Sequence, residues 1–178
     1  MTAELVDEPR EARLARCLRE HAGPLARLFA SYARSSADRD DLAQDVAMAL
    51  WTALPRFRGE CSERTFVLRV AHNRALAFLS RRGVSTLDVD DVAERVTATS
   101  GKNPAVAFDR GERSARLMTA IRALPVPHRQ VMTLVLEGLG HREIAEVLGT
   151  TENNVAVRAN RARAALRILM DAREGGER

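Results

Sequence analysis

Lysine is almost missing from this chain of 178 residues. Of 28 basic residues only Lys102 is a lysine, so 28 − 1 = 27 are arginine. Together with the many alanines, that bias reflects a GC-rich genome, and function has to be read from where the arginines sit. Aromatic residues are scarce, at 4%, while apolar residues make up 46%. The cores must therefore be mostly Leu, Val and Ala, which suits helices packed closely together. Two cysteines, Cys17 and Cys61, are too few for a disulfide framework or a cysteine-only metal site, and both read as buried or incidental thiols. The histidines, His21, His72, His128 and His141, read as scattered, without an i, i+4 partner or a Glu-containing metal motif. With no phosphate-cradling glycine loop and no Ser–His–Asp grouping either, neither catalysis nor a bound metal or cofactor is expected. No apolar run approaches the ~20 residues needed to cross a bilayer. The N-terminal "MTAELVDEPREARLARCLRE" lacks a signal-peptide core, so a cytoplasmic protein without membrane insertion is expected.

What is present is helical periodicity, with no convincing alternating strand. A first helix is expected after Pro9, ending near Gly23, and Pro24 suits the first turn of a second helix to Tyr32. Asp38 or Asp40 can cap a third helix, whose stripe runs Leu42, Val46, Leu50 and Leu54 before Pro55 stops it. "RFRGECSER" reads as a loop, and Ser62 or Glu63 opens a fourth helix to Arg82. Between Gly83 and Pro104 the pattern fails in a stretch of Ser, Thr, Gly and acids. A long helix should follow from Ala105 to Leu124, then His128 to Glu137, Arg142 to Leu148, and Glu152 to about Met170. The expected fold is all-α: two small helical domains joined by a flexible linker. Residues 1–23 lead into a domain over 24–82, an acidic linker covers 83–104, a second domain covers 105–170, and 171–178 form a disordered tail.

Charge sorts these pieces. Asp38 to Leu54 holds one Arg and four Asp, 1 − 4 = −3, whereas Arg56 to Arg82 holds seven Arg and two Glu, 7 − 2 = +5. Gly83 to Glu112 carries three bases and six acids, 3 − 6 = −3, and Thr151 to Met170 four Arg and one Glu, 4 − 1 = +3. Nucleic acid would bind the two basic stretches and be repelled by the acidic ones.

The second basic stretch has a specific layout, "GLGHREIAEVLGTTENNVAVRANRARAAL". Gly140 can cap the helix "HREIAEVL", with Glu143 reaching back to the backbone, and Gly149 can end it in a left-handed turn. Thr150 or Thr151 then caps a helix pinned inward by Val155, Ala159, Ala162 and Leu166. Glu152, Asn153, Asn154, Arg158, Asn160, Arg161 and Arg163 are left outside. That is a helix-turn-helix, whose second helix enters the major groove, where Asn pairs with adenine, Arg with guanine, and other arginines hold phosphates.

Two stretches carry a family resemblance. "DLAQDVAMALWTALPRFRG" followed by "RTFVLRVAHNRALAFLSRR" resembles region two of bacterial sigma factors of the extracytoplasmic-function group. "ALPVPHRQVMTLVLEGLGHREIAEVLG" followed by "RANRARAALR" resembles region four of the same group. The resemblance implies a promoter-specificity subunit of RNA polymerase. Region two would dock on the core polymerase and open the −10 promoter DNA element, region four would read the −35 element, and a separate anti-sigma factor would mask both faces.

On that reading Asp41, Leu42, Gln44, Asp45, Met48 and Trp51 meet the polymerase. Arg58, Arg64, Arg69 and Arg74 hold phosphates of the −10 strand. The loop with Phe57, Gly59 and Ser62, together with Asn73, would pocket an unstacked base, with Phe66 and His72 as stacking or wedge groups. His141 and Arg142 join the outward residues of the last helix at the −35 element. The chain departs from the family pattern at Phe66 and Leu68, which replace the usual Trp and Tyr. It departs again at Asn153, Asn154 and Ala156, where Gly-Thr and a basic residue are common, and at His141 and Arg142, which replace an aromatic and an acid. The rival reading is a free-standing helix-turn-helix regulator that binds duplex DNA and never joins polymerase.

Overall fold

The computed structural model describes residues 9–84 and 109–174. Among them are eight α-helices, one short 3-10 turn and no strand. The chain divides after Val84 into two units, each with its own core. The expected linker lies almost wholly outside the described residues.

In the first unit α1 spans Arg10–Glu20, α2 Ala22–Tyr32, α3 Ser36–Ala53 and α4 Glu63–Arg81. The break between α1 and α2 falls at His21, not at Gly23. Proline lacks only an N–H that a first helical turn leaves unpaired, so Pro24 is tolerated just inside α2 and does not have to open it. The cap of α3 is Ser35, not Asp38 or Asp40. The Ser35 hydroxyl accepts from the Asp38 N–H at 3.1 Å, and the Asp38 carboxylate accepts from the Ser35 N–H at 3.3 Å. The period-four stripe of α3 is fully read: Leu42, Val46, Leu50 and Leu54 are all buried, against Val67, Leu68, Ala71, Ala75 and Leu79 of α4. Burying one such leucine stabilises by about 1.5–3 kcal/mol, and truncating Leu50 to Ala should cost about 2–5 kcal/mol.

In the second unit α5 spans Asp109–Ala123, α6 Val126–Leu136, α7 His141–Leu148 and α8 Glu152–Glu174. Helix α6 begins two residues before His128 because Pro127 again fits a first turn, with Pro125 as its cap. Arg129 donates to the carbonyls of Arg122 and Leu124, at 2.6 and 3.0 Å, and so satisfies the orphan end of α5. Ala120, Ile121 and Leu124 of α5 and Met132 of α6 pack on Ala162, Leu166 and Leu169 of α8. Helix α8 continues to Glu174, four residues into the stretch expected to be a disordered tail.

Candidate nucleic-acid interface

The turn between α7 and α8 is built as its sequence demands. Gly140 donates its N–H to the Glu143 carboxylate at 2.9 Å. Gly149 adopts φ +65°, and the following Thr150 N–H returns to the Ala145 carbonyl at 3.0 Å. Thr151 is the cap of α8, its hydroxyl accepting from the Asn154 N–H at 3.2 Å, while the Asn154 amide donates to the Thr150 hydroxyl at 3.2 Å. Val155, Ala159, Ala162 and Leu166 are buried, as their spacing requires.

The opposite row of α8 is outward. Glu152, Asn153, Asn154, Asn160, Arg161 and Arg163 are exposed and Arg158 is half-buried. Arg163 donates to the Asn160 side-chain oxygen at 3.3 Å, and His141 and Arg142 stand exposed at the start of α7. His128 of α6 lies close enough to feel this row. Burial, then the charges of Arg161 and Arg158, lower its pKa, so it stays neutral where cation density is already high. One residue of the row escaped a reading based on polar side chains alone. Val157 is 40% exposed among these groups, and a branched apolar side chain on this exposed row has the chemistry to meet a thymine methyl.

In the first unit α3 and α4 run antiparallel, and their two ends differ in chemistry. Toward the end of α3, a groove of about 490 Å³ is lined by Ala49, Thr52, Ala53 and Arg56 with Phe66, Val70, Asn73 and Arg74 of α4. Phe66, one of the two expected stacking groups, packs on the loop residue Phe57 at 4.6 Å between ring centres, so the pair forms one aromatic surface at the loop. Arg58, Arg64, Asn73 and Arg74 are exposed, and Arg69 is half-buried with a buried Nε that has no hydrogen-bond partner among the described residues. Gly59 takes φ +78°, a conformation that lets the loop turn without a Cβ penalty. Ser62 spends its hydroxyl on capping α4, accepting from the Thr65 N–H at 3.0 Å.

His72 is placed differently from the expectation of a wedge. It is 1% exposed, edge-on to Tyr32, with its Nδ1 3.4 Å from the Tyr32 hydroxyl. Burial drives its pKa down to about 4, so it is a neutral core histidine. Leu68, too, is a core residue.

At the other end of the pair, Asp41, Gln44 and Asp45 of α3 meet Phe78 and Arg81 of α4 and the following Arg82 around a shallow groove. Asp45 pairs with Arg81, and Asp38 with Arg82. Burial works to raise the Asp38 pKa, but the bonds from Arg82 and Ser35 outweigh it and bring it below the usual carboxylate range. The expected acidic face is thus partly neutralised from within the unit. Met48 is 66% exposed beside it, the most exposed large apolar side chain described. Leu42, expected on this face, is fully buried and can only support it from behind. Trp51 is half-buried, with Arg10 stacked over its ring at 4.4 Å and donating to its carbonyl at 3.0 and 2.7 Å. In the free chain Trp51 fastens α1 to α3.

A helical unit with a cationic groove, followed by a helix-turn-helix unit, defines a protein that reads DNA at two places. The chain belongs to the sigma-70 family of RNA polymerase sigma factors, in its extracytoplasmic-function group. The family description "Sigma-70 region 2" matches residues 17–84 and "Sigma-70, region 4" matches residues 114–166. The RNA polymerase sigma-H factor of Pseudomonas aeruginosa is 31% identical, over 78% of this chain and 76% of its own length. The ECF RNA polymerase sigma-E factor of Escherichia coli K12 is 30% identical, over 74% of this chain and 73% of its own. The fold is similar to that of CnrH in complex with the cytosolic domain of CnrY, with a TM-score of 0.67, 25% identity, and 96% and 94% of the two chains covered. No helix among the described residues is long and apolar enough to cross a membrane.

Proposed function

We propose that the end of the α3–α4 pair bearing Phe57, Phe66, Asn73 and Arg74 captures the unstacked −10 strand, while the end bearing Asp41, Gln44, Asp45 and Met48 docks on core RNA polymerase. Unstacking a base costs a few kcal/mol, and the Phe57–Phe66 pair beside a polar, cationic groove offers stacking and hydrogen bonds to offset it. Arg58, Arg64 and Arg69 supply phosphate contacts. Helix α8 reads the −35 duplex through Asn153, Asn154, Arg158, Asn160, Arg161 and Arg163, with Glu152 at its first turn and His141 and Arg142 near the backbone. The chain acts in the cytoplasm by binding, not by catalysis.

One observation carries this reading over a free-standing regulator. The first unit exposes an apolar Met48 within an acidic edge, a surface of no use for DNA and suited to a basic protein. CnrH, solved with the cytosolic domain of another protein, supports a further partner of the anti-sigma kind for this fold. The test is run-off transcription by purified core enzyme plus this chain over a pool of genomic promoters. Initiation at a subset of templates is expected. Failure to initiate at any of them, with no polymerase retained by tagged protein in gentle salt, would leave the free-standing regulator as the better reading.

A further inference from the structure

Away from the faces assigned above, three metal-ligating side chains converge where α1 ends against the start of α4. A Cys17 sulfur, a His21 ring nitrogen and a Glu63 carboxylate oxygen all lie within 4.8 Å of one another. Cys17 is fully buried, and the His21 and Glu63 side chains are only 13% and 18% exposed. His21 Nε2 is buried with no hydrogen-bond partner and stands 3.9 Å from Glu63 Oε1. A buried imidazole nitrogen left without a partner is costly, and it is aimed at a carboxylate beside a thiol.

Cys17 and His21 are four residues apart at the end of one helix, so they share a face. Glu63 is the first residue of α4 and is held by Arg16 through Nη1 and Nη2 at 3.1 and 3.2 Å, which orients its carboxylate before any ligand arrives. Around the thiol stand Arg13, Arg16, Glu20 and Glu63, 2 − 2 = 0 in formal charge, so a dication meets no net repulsion.

We propose that Cys17, His21 and Glu63 form a binding site for a divalent transition-metal cation of the Zn(II) or Co(II) kind. Thiolate, imidazole and carboxylate are the donors such borderline ions take, and three protein donors leave one position of a tetrahedron for water. Bond lengths of about 2.0–2.3 Å put tetrahedral donors about 3.3–3.6 Å apart, so binding draws these atoms together by up to about 1.5 Å. Burial, aided by Glu63, pushes the free thiol up to about 11, so it carries its proton near neutrality. The metal forms a bond to sulfur and releases that proton to solvent, which makes binding stronger as pH rises. Occupancy cross-links α1 to the first turn of α4, directly after the loop proposed to hold the −10 base.

Histidine spacing alone does not reveal this group, because the partners of His21 are a cysteine four residues earlier and a glutamate 42 positions further on (63 − 21 = 42). The experiment uses the full chain, reduced and stripped with chelator, in a Cys61→Ser background so that Cys17 is the sole thiol. Titration with Co(II) should give a thiolate-to-cobalt absorption band that saturates at one equivalent and bleaches when Zn(II) displaces it. His21→Ala should weaken Co(II) binding at least about tenfold while circular dichroism stays helical. Glu63→Gln should do the same, and Cys17→Ser should abolish the band. Absence of a saturable band, or a band unchanged in folded His21→Ala, overturns the proposal. Since polymerase and DNA are absent from the assay, its result is independent of the promoter reading.

Discussion

His72 carries the clearest residue-scale consequence. Its folded pKa, about 4, lies below the ordinary histidine value of 6.5. Between those two values the unfolded chain binds a proton that the folded core refuses, so stability falls as pH drops from about 6.5 toward 4 and levels off below. The full effect is about 3 kcal/mol, at ~1.4 kcal/mol per unit of pKa difference. Trp51 is the single tryptophan and lies in the same unit, so its fluorescence in urea titrations follows that unit alone. The midpoint should fall across this pH window and hold steady from pH 7 to 8. His72→Gln, neutral throughout, should flatten the dependence, and a slope unchanged in that variant would assign it to other groups. The arginines of α8 act at the same scale. Arg158→Ala and Arg161→Ala should each weaken duplex binding by about 1–3 kcal/mol. A base contact relaxes preference at one position, whereas a phosphate contact weakens all sequences alike and lowers the salt slope by about one. Unchanged affinity in both variants would mean that α8 does not read the groove.

Among the elements, the turn before α8 depends on one backbone conformation. Gly149 holds φ +65°, and a Cβ there would meet no atom within 4 Å, so Gly149→Ala tests conformation without a clash. The left-handed conformation costs a non-glycine residue about 1–2 kcal/mol. Thermal melts should show that loss, and duplex affinity should fall further than in Ala164→Gly, which alters an exposed position of α8 without touching the turn. Equal effects would argue that the turn geometry is not what aims the helix. This turn was legible in the sequence because glycine, threonine and an apolar stripe at three- and four-residue steps each have few alternative uses. The stripe of α3 was legible for the same reason. The cap at Ser35 and the helix start at Val126 were not, since Ser35 competes with two nearby aspartates as a cap and Pro127 serves as breaker or first-turn residue with equal ease. Contacts far apart in sequence were invisible: Arg10 on Trp51, Arg81 on Asp45, Tyr32 on His72. Those pairings decide which of the expected site residues remain available: the Tyr32 contact goes with a buried His72, while Leu42 is withdrawn by its own place on the buried stripe of α3.

For the molecule as a whole, the proposed division of work between the two units predicts separable defects. Asp45→Arg puts a cation where the proposed polymerase surface needs an anion, and it also strands Arg81 opposite a like charge. Both positions are more than a third exposed, so the internal pair contributes little to stability, within about 0–1 kcal/mol. Helical content and α8-dependent duplex binding should therefore be retained while core polymerase binding falls. The double variant Asp45→Arg with Arg81→Asp restores the internal pair with its polarity reversed. If Asp45 faces polymerase, the double variant stays defective in holoenzyme assembly. If Asp45 serves only to hold α4, the double variant recovers, and the docking assignment moves to Met48 and its neighbours. Measuring assembly and duplex binding on the same preparations at two salt concentrations separates these outcomes. Loss of both activities together would show that the units do not act independently.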